Sequence, residues 1–433
     1  MEKRIKIDFL VPPFDGHLNP LLELAKKIKN ENKYEIRFIT GKDKNDKIKA
    51  CGFKVENILL DENEVFEKIS NTEKQVKVNV IELKKQFSEN LRLIPIVTEE
   101  LKSLLKSNET EIIVSDFIVV SAVLCSKELN IPLITTMPTS FAIENKDGTP
   151  AYLGGLKPKN SAHGEIRDYF ARKQIRIFKK FIYFLFYKEI KKLNFKLYNE
   201  NGEENLYSQD SILGFGMKEF EFKRSWPKQY ISIGYCCGEE EAGEHNREIS
   251  ELINNGKHKR RVLVSLGTHL NWGKKTLVED VEKIAKEFRD TLFVITMGQK
   301  NGEKENLAIK TENLTVIDYL SYEKYFKCFD YVIHHGGAGI TYNAIKYKKP
   351  SLVIPHDYDQ FDFAARIEYF KTGLRAKSIK NSKNIIKKLN ELFMIKEWEN
   401  LEKLSEEFQE YRPGKILEME IERLLKAKNE VLK

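Results

Sequence analysis

Short runs rich in isoleucine, valine and phenylalanine alternate with helical patterns along this chain, and near the middle the alternation stops and begins again. In the first half the strand-like runs are residues 5–11, 34–39, 111–115 and 132–135, with helical patterns such as 20–29 and 119–129 between them. In the second half they are residues 261–265, 292–296, 314–317, 331–333 and 351–354. Parallel strands need a long crossover, so strand–helix alternation predicts mostly parallel sheets covered by helices on both faces. At 433 residues the chain exceeds one ordinary core and suits two α/β domains of about 150–200 residues each. Trp226-Pro227, then Gly234-Tyr235-Cys236-Cys237-Gly238 and the acidic run 239–241, separate the halves. The pattern predicts an N-terminal domain over 1–235, a linker over 236–258 and a C-terminal domain over 259–433. No short internal repeat occurs.

Composition narrows the function classes. Hydrophobic residues make up 41% and charged residues 32%, which predicts a folded chain rather than a disordered one. The opening segment MEKRIKIDFLVPP reads as a first strand and not as a secretory signal. No run reaches the ~18 apolar residues of a membrane span. Cys51, Cys125, Cys236, Cys237 and Cys328 show no metal-binding or redox spacing, which predicts a reducing, cytoplasmic location. The formal charge of +8 is small beside 73 basic and 65 acidic residues, and no basic–aromatic signature of a nucleic-acid reader appears. Residues 171–198 stand apart as a basic, aromatic, helical stretch. It admits a peripheral membrane contact or a cover for a greasy site. The favoured expectation is a core-packing helix with its apolar centre, 181–187, buried.

Five constellations carry chemistry. After the first strand comes Pro13-Phe14-Asp15-Gly16-His17-Leu18-Asn19-Pro20, where Gly16 is expected to make a tight turn and Pro20 to sit in the next helix's first turn. Ligands of open parallel sheets bind at the carboxyl ends of the strands, so His17 lies on a functional edge, where an imidazole can accept a proton near neutral pH. Asp116 ends the strand-like run Ile113-Val114-Ser115, and opens onto the same edge if both strands share a sheet. There a carboxylate fixes an imidazole's tautomer and stabilises the imidazolium, or it caps the following helix. Tyr331-Val332-Ile333-His334-His335-Gly336-Gly337-Ala338-Gly339-Ile340-Thr341 runs from strand through a glycine-rich turn into a helix, the arrangement that lets backbone N–H groups bind phosphate. It does not match the dinucleotide fingerprint, and it lacks the lysine of a P-loop. In Asp357-Tyr358-Asp359-Gln360 a carboxylate beside an amide suits sugar hydroxyls. Its D-x-D spacing also occurs in metal-dependent sugar transferases, but the neighbouring phosphate turn leaves a metal little to do. Last, Val264-Ser265-Leu266-Gly267-Thr268 ends the first strand of the second half in a Gly-Thr turn.

Together these residues resemble the inverting UDP-glycosyltransferases of the GT-B fold, particularly the bacterial macrolide-glycosyltransferase branch, over nearly the whole chain. The resemblance implies two Rossmann-like domains facing across a cleft, with the last helix crossing back to the first domain. It implies His17 as the base and Asp116 as its orienting carboxylate. The diphosphate falls to Thr268, His335 and the turn Gly336, Gly337, Ala338, Gly339, Ile340 and Thr341. The sugar falls to Asp359 and Gln360, and the base and ribose to Tyr319, Leu320 and the position of Asn343. Departures from the family pattern are Ile340 for a serine or threonine, Asn343 for a ribose-binding glutamate, Tyr322 for a glutamine and Phe363 for an asparagine.

The reaction implied by the resemblance is a metal-independent transfer of a hexose, with inversion, from a nucleotide-diphosphate sugar onto a hydroxyl. UDP-glucose or a related UDP- or dTDP-sugar is the expected cosubstrate, with no separate cofactor. The expected acceptor is a hydrophobic small molecule, lipid or peptide, held by residues ~60–100 and ~140–205. The rival is a catalytically silent homologue that activates another transferase. An NAD(P)-dependent oxidoreductase would carry a dinucleotide glycine motif after the first strand, and none is present.

Overall fold

A computed structural model describes residues 3–60, 80–238, 247–254, 256–267, 276–298 and 311–431. Thr268, the acidic run 239–241 and residues 61–79 of the expected acceptor region lie outside the described residues.

The described strands form two sheets in which every named pair is parallel. The first has seven strands in the order β3-β2-β1-β4-β5-β6-β7. They are β1 (Ile5–Leu10), β2 (Tyr34–Thr40), β3 (Lys54–Asn57), β4 (Ile112–Asp116), β5 (Leu133–Met137), β6 (Ser211–Gly214) and β7 (Tyr230–Ser232). The second has six strands in the order β10-β9-β8-β11-β12-β13. They are β8 (Arg260–Ser265), β9 (Thr291–Thr296), β10 (Leu314–Ile317), β11 (Tyr331–His334), β12 (Ser351–Val353) and β13 (Gly373–Arg375). Strands β4, β5 and β9 are buried from end to end, as strands covered on both faces must be. These are two α/β domains of the Rossmann type, as the alternation predicts.

Each sheet reverses its strand order once, between β1 and β4 in the first and between β8 and β11 in the second. Such switch points open a crevice at the carboxyl ends of the two strands, because the connections leave on opposite faces there. In the first sheet Leu10 pairs with Ser115, which brings the segment after β1 beside Asp116. In the second Ser265 pairs with His334, which brings Gly267 beside His335.

The halves also share core. Phe215, Phe220 and Tyr235 of the first half pack in one apolar cluster with Tyr342 and Phe363 of the second. The Tyr235 and Tyr342 rings stack with centroids 4.8 Å apart. The last helix, Pro413–Val431, lies against the first half, where Lys33 Nζ meets Glu422 at 2.7 Å and Arg423 donates to the Asp210 carbonyl at 2.9 Å.

Three local expectations are corrected. The first helix is Asp15–Lys27, so Gly16 is helical rather than a turn residue, and Pro20 stands sixth in the helix rather than in its first turn. The chain enters that helix directly after Phe14, whose carbonyl accepts from the His17 and Leu18 amides at 3.0 and 2.8 Å. The basic aromatic stretch forms helices Ala162–Leu185 and Tyr187–Lys192, but its apolar centre is not buried. Phe181, Phe184, Leu185 and Tyr187 are exposed, while Phe186 is buried. The reason is that the long helix holds the domain through its cations. Arg172 and Arg176 donate to the carbonyls of Gly148 and Gly202, and Lys179 to the Glu204 carboxylate, all from one helical face. The opposite, apolar face therefore points outward.

Candidate active site

His17 sits in the first turn of the helix that follows β1, and Asp116 is the last residue of β4. The switch point brings them together: His17 Nδ1 and Asp116 Oδ2 are 2.9 Å apart, with the carboxylate 1% exposed and the imidazole 23% exposed. The other carboxylate oxygen accepts from the Ile118 amide at 3.0 Å, so Asp116 both orients the imidazole and terminates its own turn. Burial works against a charged imidazole, but the Asp116 carboxylate outweighs it, and Asp359 adds to the effect. The net result holds the His17 pKa above its ordinary 6.5. With Nδ1 committed to Asp116, Nε2 is the atom left to take a proton. The rings of Phe14 and Phe117 flank the imidazole, with centroids 6.2 and 5.8 Å from its own.

The charge of Asp359, from the second half of the chain, also favours the His17 imidazolium. Burial first, and then neighbouring Asp362, push Asp359 up to about 7, with His17 pulling the other way. Asp359 precedes the helix Gln360–Tyr369, whose first residue has a local task. The Gln360 amide oxygen accepts from the His356 and Asp357 amides at 2.8 and 3.1 Å, which closes the loop after β12.

The glycine turn is built against that loop. Gly336 has φ +94°, and a Cβ there would stand 2.9 Å from the Gln360 carbonyl oxygen, so both conformation and space demand glycine. His334 is fully buried and accepts the Gly336 amide on Nδ1 at 3.1 Å, which pins the turn from below. The His335 ring packs across the crevice against Gly267, where an added Cβ would approach its Cε1 to 2.8 Å. Helix Ala338–Lys346 then begins at Gly337, with no side chain capping it. Its first amides and the His335 imidazole thus share one edge of the second sheet, an arrangement suited to an anion.

The remaining predicted residues are distributed unevenly. Tyr319 is exposed after β10, and Leu320 is buried in the core behind it. Ile340 is buried in that same cluster. Thr341 is buried and donates its hydroxyl to the Gly337 carbonyl at 2.8 Å, and Asn343 donates its amide to the Gly339 carbonyl at 2.8 Å. These two side chains serve the helix that carries them. Tyr322 donates to Ser265 Oγ at 2.9 Å, which in turn accepts the Gly267 amide at 3.2 Å. Phe363 is core, with its ring 5.1 Å from Phe141.

Sequence reasoning missed the seam beside the site. Asp362 accepts the Tyr152 amide at 2.9 Å across the two halves, and burial pushes its carboxyl up to about 6 despite Arg366. The Arg366 guanidinium lies between the rings of Phe141 and Phe222, 4.1 and 4.4 Å from their centroids, and bonds to Glu221. The signal was Asp362 and Arg366 four residues apart, opposite charges on one face of helix Gln360–Tyr369, with Asp359 just before it. Among the described residues no group of three or more His, Cys, Asp or Glu side chains is placed to hold a metal.

Known proteins share this architecture. Residues 283–407 match the family model of the erythromycin biosynthesis protein CIII-like C-terminal domain. The NDP-glycosyltransferase YjiC of Bacillus subtilis is 22% identical over 384 residues, 86% of this chain and 84% of that protein. Among solved structures, the glycotransferase of kitacinnamycin superposes with a TM-score of 0.73 at 16% identity, covering 98% of this chain and all of the other. The spinosyn rhamnosyltransferase SpnG, complexed with thymidine diphosphate, gives 0.64 at 14% identity, covering 96% and 99%. The chain thus has the GT-B fold of these structures and is similar over most of its length to an NDP-glycosyltransferase.

Proposed function

We propose that this protein is an inverting, metal-independent hexosyltransferase. It moves a sugar from a nucleotide-diphosphate donor, a UDP-sugar by preference, onto a hydroxyl of a hydrophobic acceptor. The observation that carries the reading is the His17–Asp116 pair at the switch point of the first sheet, together with the glycine turn packed against Gln360 at that of the second. A base, a sugar-binding carboxylate and an anion-binding helix start then face one cleft. The acceptor belongs to the N-terminal domain, 1–235, and the donor to the C-terminal domain, 259–433, with 236–258 linking them.

The acceptor oxygen attacks the anomeric carbon as its proton passes to His17 Nε2. The new glycosidic bond forms as the bond from that carbon to the diphosphate oxygen breaks. Asp116 stabilises the imidazolium, since it already receives the Nδ1 proton. Negative charge developing on the diphosphate meets His335 and the amides of Gly337, Ala338, Gly339 and Ile340 in a preorganised site. Thr268 belongs to the same diphosphate site in this reading. Asp359 takes sugar hydroxyls, and Gln360 holds the loop that presents it while its amide nitrogen serves as donor. Tyr319 stacks on the nucleobase, beside Leu320 and Asn343. The thymidine diphosphate in the SpnG complex supports testing dTDP-sugars beside UDP-sugars.

The test is a screen of UDP- and dTDP-sugars for binding and for release of nucleoside diphosphate, with and without a panel of phenolic, polyketide and lipid acceptors. Acceptor-dependent release by the native protein and not by His17→Ala supports the proposal. Failure to bind any nucleotide sinks it in favour of a silent homologue that activates a partner.

A further inference from the structure

Among the described residues, the long helix Ala162–Leu185 carries a continuous apolar stripe that nothing covers. Ile166, Phe170, Ile177, Phe181 and Phe184 recur at spacings of three, four and seven and are 56, 65, 66, 54 and 75% exposed. At 1.5 Å per residue the stripe runs about 27 Å along the surface. Aromatic and branched side chains held in water at that density are costly, by roughly 25 cal/mol for each Å² that could be buried.

Charge identifies what fits this face. From Tyr169 to Lys188 the chain contains no aspartate or glutamate. The inward cations Arg172, Arg176 and Lys179 are consumed by the domain. Lys173 and Lys180, two turns apart, are exposed along one edge of the stripe, and exposed Lys188, Lys191 and Lys192 follow at its end. An exposed aromatic and aliphatic stripe with a lysine border is the pattern of a helix lying in a membrane interface. No described helix is long and apolar enough to cross a membrane, so the helix would lie on the surface and not span it. A protein partner of matching shape would need acidic rims; a bilayer rich in anionic headgroups supplies both halves of the pattern.

We propose that the outward face of helix 162–185 docks this protein onto anionic lipid bilayers. The helix is rigidly joined to the cleft. Asp168 accepts from Thr149 at 2.7 Å, and Arg172 bonds to Gly148. The segment those bonds hold continues to Tyr152, whose amide reaches Asp362 beside the site. A docked helix therefore sets the cleft mouth close to the headgroups, where a membrane-dissolved acceptor is concentrated. The docking itself does not depend on the transfer reading, because its readout is lipid binding.

The experiment is co-sedimentation of the full chain with vesicles of phosphatidylcholine alone and with phosphatidylglycerol added. The native protein is expected to bind the mixed vesicles, weakly or not at all the neutral ones, and to be released by salt. Each lysine near an anionic surface contributes a factor of about five, so Lys173→Ala with Lys180→Ala should weaken partitioning roughly twenty-five-fold. Ile177→Glu with Phe184→Glu should abolish it while leaving the thermal midpoint and nucleotide binding in place, since both side chains are exposed. Absence of binding to anionic vesicles by the native protein overturns the proposal. So does binding that survives the double-glutamate change, or a concentration-dependent dimer that the same change dissolves.

Discussion

Replacing Asp116 by asparagine isolates what the carboxylate does for His17. The exchange preserves shape, and Oδ1 can still accept the Ile118 amide held at 3.0 Å. The new NH₂ group then occupies the place of Oδ2, 2.9 Å from His17 Nδ1, and becomes a donor where an acceptor stood. It drives the imidazole proton from Nδ1 to Nε2, the atom that must receive the acceptor's proton. Loss of a buried charged hydrogen bond costs about 1.5–3 kcal/mol, a ten- to hundredfold effect. The reversed tautomer adds to it, as in the serine-protease triad, where the same exchange costs about 10⁴-fold. We expect kcat to fall by about 10²- to 10⁴-fold with nucleotide affinity unchanged. The pH dependence has a definite sign. His17 must be neutral to act, so in the native enzyme activity rises with pH through a value above 6.5. In the variant the supporting charge is gone, burial dominates, and the residual activity should rise at lower pH. Initial rates of nucleoside diphosphate release from pH 5 to 9 give both numbers. A variant that keeps more than a tenth of native kcat, with an unmoved acid limb, would refute the pairing as catalytic.

Three further outcomes are expected. His335→Ala should weaken nucleoside diphosphate binding by roughly ten- to hundredfold in calorimetry, the worth of one hydrogen bond to a charged group, without changing acceptor affinity. Exhaustive chelation with EDTA should leave turnover intact; loss that Mg²⁺ or Mn²⁺ restores would give Asp357 and Asp359 a metal-binding role. Arg366→Met should lower the unfolding free energy in urea by about 3–5 kcal/mol, because it strands Glu221 and Asp362 in the seam, and a change below about 1 kcal/mol would count against that network.

The fold was readable because its strong strands are largely buried and rich in Ile, Val and Phe. The four strands that sequence reasoning passed over are the short segments KVEN, SILG, YIS and GLR, where sheet pairing and not local composition makes the strand. His17 and Asp116 were legible because each follows or ends a strong strand, and the switch point did the rest. Pro20 misled because a proline can sit in a second helical turn when the chain enters its helix early. The outward face of helix 162–185 was misjudged because apolar content alone does not say which side of a helix its partners occupy. Arg172, Arg176 and Lys179 settle that question through contacts distant in sequence. Asp362 and Arg366 went unread because their meaning lies in Tyr152 and Glu221, more than a hundred residues away.

The central claim is a single displacement at the anomeric carbon, driven by His17 and received by the glycine turn. Proton NMR of the purified protein with an α-linked UDP- or dTDP-glucose and a responsive acceptor tracks donor, nucleoside diphosphate and glycoside in one tube. Release of the nucleoside diphosphate in step with a β-glycoside is expected, and neither with His17→Ala. An α-glycoside, or product formed at the native rate by the variant, would contradict it.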